Sequence, residues 1–140
     1  MSEDTPDYNV LKSADRSDSL PQRLAAAMEW ADWIIDIAVR ASFRCEYCDR
    51  DLLASVDAYK EWQHDHIVPQ RIKEDNGSNN MALSCRTCNV SFKGKWDPSH
   101  GLPDDASRDE LVAAVRQYVA RKRTDMFAEV VKIREIVYGD

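Results

Sequence analysis

The chain has 140 residues, 44% hydrophobic and 31% charged, enough to bury the core of one ordinary domain with helical additions. The most apolar stretch, 24–39, is interrupted by Glu29, Asp32 and Asp36, so the sequence does not read as a membrane protein. A net charge of −6 argues against a non-specific nucleic-acid binder, although residues 41–97 are nearly balanced, with 9 acids against 8 bases.

Residues 1–19 are polar and acidic, with neither a basic n-region nor an apolar h-region, and read as a loose N-terminus rather than a signal peptide. From Pro21 the spacing predicts one N-terminal helix over 20–42. Leu24, Met28, Ala31, Ile35 and Ala38 form one stripe, with Ala27, Trp30, Ile34 and Ile37 beside it. So wide an apolar face is expected to pack against the C-terminal helices, within one chain, across a homodimer or with a protein partner. The core, 43–98, follows. "FRCEYCDR" forms a first knuckle, and a strand is expected around 62–68, stopped by Pro69. Within it His64, Asp65 and His66 are consecutive, and a strand used only for packing would avoid the cost of desolvating them. "QRIKEDNGSNN" is a polar loop with a turn signal at Asn76-Gly77. A short apolar piece then leads into the second knuckle, and a helix is expected from about Cys85 to Gly94, with Pro98 beyond it. Ser107 and Glu110 match a capping box opening a C-terminal helical segment over 106–138. It reads as one helix, or two broken near Thr124. One stripe is Leu111, Val115, Tyr118 and Val119; a second is Met126, Val130, Ile133 and Val137.

The four cysteines, Cys45, Cys48, Cys85 and Cys88, form two C-x2-C pairs separated by 36 residues. In a chain that reads as cytoplasmic, where thiols stay reduced, paired knuckles point to a structural zinc with four thiolates. Two disulfides or a redox CxxC are the alternatives. A redox site needs only one pair.

The segment containing "CEYC", "HDHIVP" and "NNMALSCRTCNVSFKGK" resembles the HNH endonucleases of the cysteine-containing type. The resemblance covers residues 43–96. It implies an α+β fold: a small ββα-metal core stapled by the four-cysteine zinc, flanked here by the N-terminal helix and one or two C-terminal helices. It also implies metal-dependent hydrolysis of DNA. Asp65 would be the first ligand of a catalytic divalent cation, magnesium or manganese, and Asn89 the second. His66 would be the general base. Asn80 would tie the loop to the base-bearing strand. Two features depart from the family pattern: Asn89 stands where a histidine is frequent, and "EDNGSNN" replaces a frequent Gly-Gly pair.

Elementary chemistry agrees with that set. A hard cation on a phosphate oxygen offsets the anionic charge that repels a nucleophile, and magnesium is content with one carboxylate and one amide oxygen among its waters. A neutral imidazole can take a proton from water near neutral pH. Adjacent strand residues point to opposite faces, so Asp65 and His66 share a site only across a distorted strand end or around its edge. Lys93, Lys95, Arg86, Arg71 and His64 are candidate phosphate contacts. The competing function is a catalytically silent zinc module that binds nucleic acid or a protein partner within a larger assembly. In that reading Asp65 merely orients an imidazole, and Asn89 is a capping residue.

Overall fold

The computed structural model describes residues 19–139. The loose N-terminus expected over 1–19 therefore lies, apart from Ser19, outside the described residues. Helices α1 (Leu20–Met28), α2 (Asp32–Arg40) and α3 (Val56–Lys60) precede an antiparallel pair, β1 (Trp62–His66) and β2 (Met81–Cys85). A π-helix, Thr87–Lys93, and a 3-10 turn, Pro98–Gly101, lead to the long helix α4 (Arg108–Tyr138). No helix among these residues is long and apolar enough to cross a membrane.

The single N-terminal helix over 20–42 is corrected to two. Ser19 and Gln22 form a capping box at the start of α1, but Glu29 adopts a left-handed conformation (φ 58°) and Ala31 is extended. No glycine or proline marks that break in the sequence. The break frees α2 to turn its own face inward, burying Ile35, Ile37 and Ala38, whereas α1 buries nothing. It also lets Trp30 pack on Trp62, ring centroids 5.4 Å apart. Packing of the N-terminal helix on the C-terminal helix within one chain is corrected as well: α2 lies against β2, while α4 lies against the π-helix and the 3-10 turn.

The hairpin is the centre of the molecule. Every residue of β2 is buried, and Trp62 pairs with Cys85, Asp65 with Ala82 and His66 with Met81. Ile37, Leu52, Ile67, Leu83, Phe92, Val115 and Val119 close the core around the cysteines. Glu46, inside the first knuckle, ties the flanks down. Its carboxylate accepts from Arg108 Nη2 (2.8 Å) and Leu83 N (2.8 Å), while Arg40 and Arg108 also donate to the Met81 carbonyl. The start of α4 and the end of α2 thus meet one acidic side chain of the first knuckle, beside β2.

Ser107 and Glu110 form the capping box of α4, which runs unbroken through Thr124. Only its first half has partners in the core. Val115 and Val119 are buried, and Tyr118 stacks on Trp96 at 4.1 Å. From Ala120 to Gly139 every residue is exposed, including Met126, Phe127, Val130, Ile133, Ile136 and Val137.

Candidate active site and zinc cluster

The strand pair brings the two knuckles together. The ligand atoms of Cys45, Cys48, Cys85 and Cys88 all lie within 4.8 Å of one another, and the Cys48 and Cys85 sulfurs are 3.8 Å apart. A tetrahedral zinc with Zn–S near 2.3 Å separates its sulfurs by about 3.8 Å, so the cluster fits a structural zinc with no open position. All four are free thiols rather than disulfides. Crowding divides their protons. Hydrogen bonding with Cys45 pulls Cys48 down to about 6 and takes Cys85 lower still, while neighbouring sulfurs hold Cys45 and Cys88 up. The thiolate is the form that binds metal. Arg123 reaches in from α4 to donate to Cys88 Sγ at 3.5 Å, adding positive charge beside the sulfurs.

β1 answers why three ionisable residues stand in a row. Its side chains alternate, so Asp65 faces one side and His64 and His66 the other. Asp65 is buried. Its Oδ2 accepts from the Tyr47 hydroxyl at 2.7 Å and from Lys93 Nζ at 3.1 Å, and Oδ1 has no partner among the described residues. Burial, and next the Asp65 carboxylate, push the Tyr47 phenol well above its ordinary range, so it stays a donor at any working pH. Lys93 is only 2% exposed and also donates to the His66 carbonyl at 3.1 Å. Its proposed phosphate contact is corrected: the ammonium faces inward because Asp65 and a strand carbonyl satisfy it there.

On the other face, His66 lines an open cavity of about 470 Å³ with Trp33, Ile37, Asn76, Ser78 and Met81. Oδ1 of Asn76 accepts from Gln70 Nε2 at 2.7 Å and lies 2.9 Å from His66 Nε2. That oxygen can only accept, so Nε2 is the donor, and in the neutral imidazole the lone pair is then on Nδ1. His64 is a second correction. Its ring sits edge-on to Trp33 at 5.0 Å and 6.0 Å from Trp62, and its Nε2 is buried without a partner. That nitrogen is not offered to a phosphate, and burial pulls the imidazole below its ordinary range.

Asn80 is buried and cross-links the loop. Its Oδ1 accepts from Val68 N at 2.9 Å, and its Nδ2 donates to the carbonyls of Val68 and Asp75, each at 3.0 Å. Asn89 is half-buried at the start of the π-helix, where its carbonyl accepts from Gly94 N at 2.8 Å. That i to i+5 bond replaces the α-helix expected from Cys85, which is still strand. Arg71, Arg86 and Lys95 are exposed, and Arg71 donates to the Lys95 carbonyl at 2.7 Å.

Sequence reasoning missed Tyr47, Asn76 and Trp33. Tyr47 lay in plain view, an aromatic enclosed between two metal-ligating cysteines. Asn76 registered only as a turn residue, and Trp33 only as part of a helix.

No curated protein matches the chain. Residues 45–93 match the family model for HNH endonucleases. The matched segment contains both knuckles, β1, β2 and the π-helix. Between its flanking helices the chain thus has a segment similar to the HNH endonucleases, which suggests a function of the nuclease type in general.

Proposed function

We propose that this domain hydrolyses DNA phosphodiester bonds, with magnesium or manganese held by Asp65 and Asn89. Bound there, the cation supplies charge to the phosphate and to the leaving 3′ oxygen. The observation that carries the reading is the contrast across the end of β1. On one face a carboxylate has Oδ2 engaged by Tyr47 and Lys93 and Oδ1 left for a ligand. On the other, His66 has Nε2 turned to Asn76 and Nδ1 left to accept a proton from water. The substrate phosphate lies across the strand end, between the two. Asn80 holds that end in place. Lys93 supplies charge from inside, while the exposed Arg71, Arg86 and Lys95 hold the DNA backbone. The resemblance implies products with 5′-phosphate and 3′-hydroxyl ends, made in a reducing cytoplasm where four thiolates keep their zinc.

A partner surface accompanies the site. Met126, Val130, Ile133 and Val137 follow a 4-3-4 spacing on the exposed half of α4, with Glu129 and Arg134 on either side of the seam. That spacing is the one by which two such helices pack side by side, so we assign this seam to homodimerisation. Light scattering of the full chain should give twice the monomer mass, and Val130→Glu should halve it.

Nicking of supercoiled plasmid with magnesium or manganese, against EDTA, tests the nuclease. The HNH match favours it over a silent zinc module, the reading that an inactive, folded, zinc-loaded protein would leave standing. His66→Ala should abolish cutting with DNA affinity nearly unchanged. A variant cutting at more than a tenth of the parent rate, an effect of only about 1.4 kcal/mol, would remove His66 from its role.

A further inference from the structure

The cavity beside His66 has no part in the scheme above. It measures about 470 Å³ and is walled by Trp33, Ile37 and Met81, with His66, Asn76 and Ser78 as its polar members. No lysine or arginine lines it. Arg40 stands behind, its guanidinium consumed by the carbonyls of Ser78 and Met81. The acidic residues of α2 are elsewhere, since Asp32 and Asp36 line a separate groove against α1. The cavity therefore offers a phosphate no cation, and offers a flat, neutral group an indole.

Trp33 is 50% exposed, whereas Trp30 and Trp62 pack on each other. Its contact with the His64 ring, centroids 5.0 Å apart, leaves half of its surface open. A protein this small gains stability by covering an indole, and here an indole stands open beside the proposed base.

We propose that this cavity is a nucleobase subsite, taking the base next to the scissile phosphate and stacking it on Trp33. The inference rests on the nuclease reading. If His66 acts on water at the phosphate, the nucleoside attached to that phosphate lies within reach of whatever else His66 touches, and His66 touches this cavity. The volume falls in the usual range for small-ligand sites, about 300–1,000 Å³, and has room for a base with its sugar. Asn76 Nδ2 and the Ser78 hydroxyl lie at the polar side, where a base edge needs hydrogen-bond partners. A base stacked and paired inside a duplex cannot enter. The substrate class is therefore single-stranded DNA, or DNA with an unpaired nucleotide at the cleavage point.

The test uses the full zinc-loaded chain with no added divalent cation, so that binding is read without cleavage. A labelled single-stranded oligonucleotide is compared with the same strand in a perfect duplex. From the usual contribution of stacking one base, Trp33→Ala should weaken single-strand binding about fivefold to 150-fold and leave duplex binding unchanged, with Trp33→Phe retaining most of the affinity. Ser78→Trp, at an exposed position on the rim, fills the cavity from outside and should weaken the same complex, which keeps the test decisive if Trp33→Ala fails to fold. Single-strand affinity unchanged in Trp33→Ala and Ser78→Trp overturns the proposal, as does an equal loss for strand and duplex. Manganese-supported cleavage, measured in parallel, separates the two ideas. Cutting that persists with no single-strand selectivity removes the subsite alone. Selective binding without cutting by the parent removes the nuclease reading and leaves a single-strand site.

Discussion

The four-cysteine cluster and the Asp65 carboxylate lie at opposite ends of one five-residue strand pair, next to the Trp62–Cys85 and Asp65–Ala82 registers. One is closed and the other is open. At the cluster four soft ligands converge from two knuckles and leave a metal nothing further to bind. At the carboxylate one oxygen is pinned by a phenol and an ammonium while the other stays available. A closed site stabilises the fold; an open one costs stability, and in the proposed reading that cost serves chemistry. The comparison teaches that the same hairpin is strengthened at one end so that it can be strained by buried charge at the other.

The strongest way to break that contrast is at the closed end. Cys48→Ser should lose zinc and unfold the region spanned by the knuckles, because structural zinc supplies on the order of 10 kcal/mol of folding free energy. Elemental analysis and loss of the cooperative melt would report it. A variant that folds and cuts normally would make the cluster dispensable.

At the open end, Asp65→Ala should keep one zinc per chain and stop cutting. It should also destabilise by about 3–5 kcal/mol, because it leaves the Lys93 ammonium buried without its carboxylate. Asp65→Ala combined with Lys93→Met should recover most of the melting temperature and none of the activity. A double variant no more stable than the single would mean that Lys93 escapes to solvent and that the pair is not a buried one.

Tyr47→Phe sharpens the contrast with a smaller change. It removes one hydrogen bond to Asp65 Oδ2 and leaves the ring in place, so stability should fall by about 1 kcal/mol. Cutting should fall further than stability, because the carboxylate loses one of its two anchors. If the rate is unchanged at saturating metal, Lys93 alone positions the ligand.

The smallest effect separates His64 from His66. Burial lowers the His64 pKa from its ordinary 6.5, so the unfolded chain binds that proton more readily than the folded one. This contribution to stability is complete above pH 6.5 and is lost as pH falls below it. The melting temperature of the parent should decline across that range, and His64→Phe should flatten the decline without abolishing cutting.

Spacing made part of this legible. Two C-x2-C pairs can be read from sequence because a tetrahedral site demands short loops, and Asn80 only because the resemblance to the HNH endonucleases implies a loop-tying asparagine there. Lys93 was not legible. A lysine just after Cys-Asn reads as surface, and only the π-helix turns it inward beneath β1. His64 looked like the twin of His66 because both share a strand face. What distinguishes them is Trp33, delivered from 31 residues earlier by a helix whose start depends on a left-handed Glu29. Tertiary packing decided both positions, and no local pattern encodes it.

The π-helix at Thr87–Lys93 carries a consequence for sequence length. Its bond from Gly94 N to the Asn89 carbonyl spans five residues where an α-helix would span four. One residue of that turn is therefore surplus to the geometry of its ends, and Val90, 55% exposed, is a candidate for it. Removing Val90 would let the turn close as ordinary α-helix with Asn89 and Gly94 still bonded to each other. The turn that holds the proposed metal ligand Asn89 and the buried Lys93 is thus one where the loss of a codon can leave the Asn89–Gly94 bond in place.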